Sequence, residues 1–139
     1  LIYLDSNVVG PWVCEKAGGT WIKDNGTTIG WLKDGKLVAG VIYEQFNGAN
    51  VVCHIRGDAG WANRKYLATM FDYPFNQLMV KRITVPVNDD NEASKKLVTH
   101  MGFKLECTLA QATPSGNMLL YRMFREECKY LRESYNGKI

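Results

Sequence analysis

Lys81-Arg82-Ile83-Thr84-Val85-Pro86-Val87, followed by Asn88-Asp89-Asp90-Asn91, by a periodic stretch from Glu92 to Met101 and by Gly102-Phe103, is the segment on which the fold turns. Ile83, Val85 and Val87 alternate along a β-branched run, which predicts a strand over Lys81–Val87. Pro86 has no N–H to give to a ladder, so the end of that strand is expected on an unpaired edge. Asp89-Asp90-Asn91 then offers N-cap chemistry for a helix through Met101, with acidic groups at its positive end and Lys95, Lys96 and His100 further along. Gly102 is the C-terminal stop. A strand that turns directly into a helix start gathers backbone N–H groups and a positive helix end in one place, an arrangement suited to a pyrophosphate.

Upstream of this segment, Thr27–Leu32 and Leu37–Phe46 are strand-like runs separated by Lys33-Asp34-Gly35-Lys36, and Asp-Gly between two such runs predicts a hairpin. Asn47-Gly48 is a second turn signal, so Asn50–Arg56 completes a meander of three antiparallel strands. Gly57-Asp58-Ala59-Gly60 breaks the pattern. Trp61, Tyr66, Leu67, Met70 and Phe71 then recur at helical spacing, predicting a helix from Trp61 that Pro74 ends. At the start of the chain, Val8–Lys16 reads as a short helix with Pro11 in its first turn and Gly18-Gly19 closing it. Downstream, Phe103–Gln111 and Met118–Phe124 are two more strands joined across Pro114-Ser115-Gly116-Asn117, and Glu126–Ser134 is a polar closing helix. Several strands are apolar on both sides, so helices are expected on both faces of a mixed, mostly antiparallel sheet of about six strands, an α/β (α+β) fold spanning residues 1–139 as a single domain.

The composition agrees with one such domain. Of 139 residues, 46% are hydrophobic and 22% charged, and 17 Lys+Arg against 14 Asp+Glu leave a net charge of +3. A chain of this size buries roughly two thirds of the surface that its unfolded form exposes, enough for a core without disulfides or a structural metal. Disordered, collagen-like and coiled-coil classes are excluded. No apolar run approaches the roughly 20 residues that span a bilayer, and no basic segment precedes an apolar one, so neither a membrane segment nor a secretory signal is expected. Cys14, Cys53, Cys107 and Cys128 include no C-x-x-C pair and are read as free thiols of a reducing cytoplasm. His54 and His100 stand on separate elements without a ligand at metal spacing, so no metal is expected.

A resemblance now becomes visible. Asn91-Glu92-Ala93-Ser94, Leu97, Met101-Gly102-Phe103 and Leu105-Glu106 resemble the Asn-x-x-(Ala/Ser)…Leu…Gly-Phe…Glu signature of the GNAT superfamily of acyl-CoA-dependent N-acetyltransferases. Arg82-Ile83-Thr84-Val85-Pro86-Val87 is similar to the strand that leads into N-x-A-S in the branch acetylating protein N-termini. Tyr73-Pro74-Phe75, Tyr121-Arg122-Met123 and Arg125-Glu126-Glu127-Cys128 resemble small members encoded by tailed phages. The likeness runs from about Asn50 to Arg125. It implies acetyl-CoA as cosubstrate, a primary amine on a protein or small molecule as acceptor, and a cytoplasmic setting, that of an infected host cell for a phage-encoded chain.

The resemblance also implies site residues. The family's cofactor loop, Q/R-x-x-G-x-G/A, corresponds to the stretch from Ile55 and Arg56 through Gly57, Gly60 and Trp61 to Arg64 and Lys65, although its spacing is not reproduced. Gly57 and Gly60 would relax the turn, Arg64 and Lys65 would meet phosphates, and Asp58 would oppose them. Asn91 would add a contact to the pantetheine arm to its capping role, and Ser94 would hydrogen-bond the cofactor or face solvent. The family's Tyr that protonates the leaving thiolate falls at Val98, so the role is vacant, and Tyr121 is the nearest replacement. His54, alone in an apolar strand, is either a satisfied core residue or the general base, since its ordinary pKa suits proton transfer near neutrality. Glu44 is the alternative base, acting through water. His100 complements a helix dipole and is assigned no chemistry. Trp12, Trp21, Trp31, Phe46 and Trp61 line an acceptor groove or fill the core.

Two other classes compete with an enzyme acting on an amine. An inert binding module of the same fold is favoured by the altered loop and by Val98. A phage nucleobase-modifying enzyme ranks last, because a charge of +3 steers only weakly toward nucleic acid. Strand edges near Pro86 and after Phe124 are expected as pairing sites for a homodimer.

Overall fold

Asp34 and Gly35 both adopt positive φ, 53° and 78°, as a two-residue hairpin turn that matches strand twist requires. They join β2 (Thr27–Lys33) to β3 (Lys36–Glu44). The side chain of Asn47 accepts from the backbone N–H groups of Ala49 and Asn50, closing the second turn into β4 (Asn50–Gly57). In this computed structural model, which describes residues 1–131, the meander lies at one side of a seven-stranded sheet. Its first strand is the short β1 (Ile2–Tyr3), and β5 (Arg82–Asn88), β6 (Lys104–Thr113) and β7 (Gly116–Phe124) complete the order β1-β2-β3-β4-β5-β7-β6. Among the described residues only the β4–β5 pair is parallel. The expected mixed, mostly antiparallel fold is present, with one strand more than the sequence suggested because two residues of β1 carry no periodic signal.

Helices cover both faces. α1 (Ser6–Ala17) lays Val9 and Val13 on Ile42 of β3. α2 (Arg64–Asp72) and α3 (Glu92–Met101) close the main core on the other face, over Val41, Tyr43, Cys53, Ile55, Ile83 and Val85. Two buried tyrosines tie that core together. The Tyr43 hydroxyl donates to the Met70 carbonyl at 2.5 Å, and the Tyr66 hydroxyl to the Ile29 carbonyl at 2.9 Å. Phe71, fully buried, stacks on Tyr130 with ring centroids 5.0 Å apart.

The structure corrects several boundaries. α1 begins two residues before Val8, where Asp5 caps it, so Pro11 falls inside the helix and not in its first turn. α2 begins only at Arg64, because Asn63 accepts from the Tyr66 N–H and fixes the cap there. Pro74 does not end the helical path: Tyr73–Gln77 continue as a π-type turn with the proline near its start, where a missing N–H costs little. The end of β5 is not a sheet edge, since β7 pairs along its whole length, Pro86 facing Leu120. On its other side the ladder with β4 stops at Val52–Thr84, and Pro86 lies beyond that point. β7 is likewise interior, so the open edges among the described residues are β1 and β6, and neither expected pairing site is one. Arg125–Glu127 form a 3-10 turn; of the expected closing helix Glu126–Ser134, the part beyond residue 131 lies outside the described residues.

Phe71→Ala is expected to lower stability by about 3–5 kcal/mol in urea unfolding followed by circular dichroism, the usual cost of emptying a buried ring site. A loss under about 1 kcal/mol would show that the ring stack is not the centre of the core.

Candidate active site

The splay of β4 from β5 defines the site. The two strands pair over Asn50–Val52 and Arg82–Thr84 and then part, which leaves Cys53–Gly57 and Val85–Asn88 with no strand partner across the gap. Strand alternation sends Cys53 and Ile55 into the core beneath α2 and α3, and His54 and Arg56 to the α1 face. His54 pairs in register with Ile42 of β3, and Glu44 stands two residues further along β3 on the same face. Their side chains meet: His54 Nε2 lies 3.4 Å from Glu44 Oε2, with both groups about four-fifths buried. Gln45 donates to the other carboxylate oxygen.

A small cavity of about 40 Å³ opens over this pair. α1 contributes Cys14, the strands contribute Ile42, and the connection after α1 closes the rest with Gly18, Gly19, Thr20 and Trp21. Gly18 and Gly19 take φ of 88° and 85°, which lets the chain reverse over the pocket. Trp21 is held by a close approach, because a β-carbon on Gly10 of α1 would fall 2.2 Å from its indole. Burial is the larger influence on His54 and lowers its pKa below the ordinary 6.5, while the Glu44 carboxylate pulls in the opposite direction. The imidazole is therefore neutral at pH 7 and able to accept a proton. Burial, and next the same carboxylate, raise the pKa of Cys14, so that thiol stays protonated.

The residues assigned to the cofactor fall into separate groups. Ile55, Arg56, Gly57 and Ser94 line one small cavity with Lys16, Asp58, Ala93 and Leu97, between the end of β4 and the first turn of α3. Asn91 borders it: its Oδ1 accepts from the Ser94 N–H, and its Nδ2 donates to the Lys16 carbonyl at the end of α1. Gly60 and Trp61 belong instead to a groove on the other side of the loop, with Trp31 and Lys33. Trp61 packs on Gly57, where a β-carbon would lie 2.9 Å from it, and its ring meets His100 edge-on. Arg64 and Lys65 are exposed in the first turn of α2.

Arg56 is committed to structure. It bonds both oxygens of Asp58, donates to the Trp12 carbonyl and stacks on the Trp12 ring at 3.8 Å. Asp58 is thereby neutralised as an opponent of phosphates. Asp58 lies one residue past β4, where its N–H still bonds the Val38 carbonyl. Tyr121 is buried on the α2/α3 face beside Val85, in the same core as Val98 and on the side of the sheet opposite His54. Of the five aromatics, Trp21 lines the cavity over His54, Trp12 supports Arg56, Trp31 and Trp61 line the loop groove, and Phe46 is exposed. Cys14, Thr20 and the Lys16 carbonyl were missed, because a closing loop and a main-chain oxygen leave no residue-type signal.

No family model and no curated protein matches the sequence. Solved structures do. Mutant forms of the spermidine/spermine N-acetyltransferase SpeG from Vibrio cholerae superpose with a TM-score of 0.69 at 16% identity, over 96% of this chain and 98% of that one. The fold is that of the GNAT acetyltransferases. An acetyltransferase of the GNAT family from Bacillus anthracis gives a TM-score of 0.57 at 15% identity, over 74% of this chain and 68% of its own. A probable acetyltransferase gives 0.59 at 17% identity over 75% of this chain, which spans only 63% of that protein's length.

The geometry sets a measurable titration. An NMR titration of His54 is expected to show a midpoint below 6.5, and Glu44→Gln, which removes the influence that raises it, is expected to move the midpoint lower still. Because the folded pKa is depressed, His54 costs stability as pH falls from 6.5 through its folded pKa and costs none above. A midpoint above 6.5, or an upward move in the variant, would contradict this geometry.

Proposed function

We propose that the protein is an N-acetyltransferase that moves an acetyl group from acetyl-CoA to a primary amine by direct attack, with no covalent enzyme intermediate. The place of His54 carries the reading: a neutral imidazole, backed by a carboxylate, stands where β4 has left β5 and under a small cavity closed by the connection after α1. Acetyl-CoA, when bound, supplies an acyl group activated as a thioester. His54 accepts the proton that the amine nitrogen gives up as it bonds to the acyl carbon. Glu44 orients the imidazole and stabilises the cation that forms. The departing sulfur takes up a proton as the C–S bond breaks, and Tyr121, buried on the opposite face of the sheet, is the hydroxyl we assign to give it.

The residues fit the cofactor in part. Backbone groups of β4 that face the gap suit the amides of a pantetheine arm, and Ser94 and Asn91 stand at the helix start beside it. Arg56 does not fit, since its guanidinium is held by Asp58 and Trp12. Phosphates are left to the start of α2 with Arg64 and Lys65. The acceptor is an amine-bearing protein or small molecule in the cytoplasm, that of an infected host for a phage-encoded chain. A neighbour whose name gives spermidine and spermine as substrates supports a small amine. An inert binding module is the second reading, favoured by Trp61 packed on Gly57.

Calorimetric titration separates the two. Acetyl-CoA and CoA are expected to bind, and His54→Ala to lower turnover on the order of 100-fold with an unchanged circular dichroism spectrum. Absence of binding at millimolar cofactor leaves the inert module. Binding with unaltered turnover in the variant would move the base to Glu44 or water.

A further inference from the structure

The connection from β4 to α2 stands where a diphosphate would meet the protein, and its donors are spent on the protein itself. Arg56 is buried, donates to both oxygens of Asp58 at 3.0 and 2.8 Å and to the Trp12 carbonyl at 2.8 Å, and lies 3.6 Å from the Glu15 carboxylate. To turn to a further anion, the guanidinium would give up a bidentate carboxylate and its stack on Trp12 together. The main chain is committed too. The Asp58 N–H bonds the Val38 carbonyl, the Trp61 N–H the Asp58 carbonyl and the Asn63 N–H the Trp61 carbonyl, while the Tyr66 N–H goes to the Asn63 side chain. A phosphate cradle needs such N–H groups unspent and converging. Trp61 lies close over Gly57, and the cavity at the strand end holds about 70 Å³. Further into the gap the backbone differs, because from Cys53 onward β4 has no partner on its β5 side.

We propose that the donor site recognises the pantetheine arm of an acyl thioester and not the nucleotide that CoA carries, and that the Arg56–Asp58 pair sets this selectivity. The inference rests on the acyltransferase reading for the identity of the donor. An extended arm offers its amides to the unpaired backbone of β4 much as an added strand does. A diphosphate at the loop meets a cation cancelled by its own neighbours, so the cost of desolvating the phosphates is not offset there. Only the exposed first turn of α2 attracts them, through water and salt. An acyl-pantetheine is therefore a donor in its own right, whatever the far end of the arm is attached to.

The test is equilibrium titration of the full chain with pantetheine, CoA and ADP at physiological ionic strength. Pantetheine is expected to bind within about tenfold of CoA, and ADP more than about tenfold more weakly than either. Asp58→Asn, which takes the carboxylate from Arg56 and leaves its charge to an incoming phosphate, is expected to tighten CoA relative to pantetheine by about threefold or more. CoA held more than about tenfold more tightly than pantetheine, ADP held as well as pantetheine, or an unchanged CoA-to-pantetheine ratio in the variant overturns the inference. The comparison of ligands on the unaltered chain decides the matter even where the variant fails to fold. A grip that depends on the nucleotide leaves the acyltransferase reading standing; binding of neither CoA nor pantetheine at millimolar ligand removes that reading and this inference with it.

Discussion

Three residue pairs of parallel ladder, Asn50–Arg82, Val51–Ile83 and Val52–Thr84, hold the two halves of the sheet together, and the structure depends on their stopping there. If β4 and β5 paired to their ends, the strands would satisfy each other and no polar backbone would face a gap. Each strand parts while keeping its outer partner: β4 stays on β3 to Gly57, and β5 stays on β7 to Asn88. Pro86 fits this division, because a residue without an N–H sits where one of the two ladders has ended. The gap is thus a property of register, held open by two intact antiparallel pairs.

α1 then determines which face of the gap is chemical. On the α2/α3 face the strands bury Cys53, Ile55, Val85 and Tyr121 in a continuous apolar core. On the other face α1 covers β2 to β4 and stops at Ala17, so beyond it the polar side chains of β3 and β4 meet a closing loop. Arg56 anchors the helix by its bond to the Trp12 carbonyl and its stack on that ring, and the Lys16 carbonyl accepts from Asn91 at the start of α3. One end of α1 thereby touches both walls of the gap. His54 and Glu44 sit just past the region that α1 makes apolar, where burial is enough to lower an imidazole pKa even with a carboxylate beside it.

Much of the fold was legible because its signals are local. The Asp34-Gly35 turn, the alternation of Ile83, Val85 and Val87, the Asn91 cap and the Gly102 stop each act within a few residues, and each appears where its chemistry puts it. What could not be read depends on distant parts of the chain. β1 is a strand only because Ile2 and Tyr3 lie beside Trp31 and Gly30. Pro11 is tolerated inside α1 because burial of Val9 and Val13 outweighs a lost backbone bond, which no propensity scale includes. At the site, His54 and Glu44 were each visible as candidates, but only the β3–β4 register makes them a pair.

The cationic loop illustrates the same limit with a sharper consequence. Read along the chain, Arg56, Arg64 and Lys65 form a cluster that would account for much of the +3 charge as attraction toward a phosphate. In space, Arg56 and Asp58 cancel, and the strand end becomes an uncharged anchor for α1. What remains for an anion is the first turn of α2, where two exposed cations add to the positive end of a nine-residue helix. A phosphate met there is bound at the surface, in water and within reach of salt, and not in a buried cradle of backbone N–H groups. Under the proposed reaction, affinity for the cofactor then comes mainly from the arm that enters the gap between β4 and β5, and ionic strength weakens the grip on phosphates without touching the chemistry at His54.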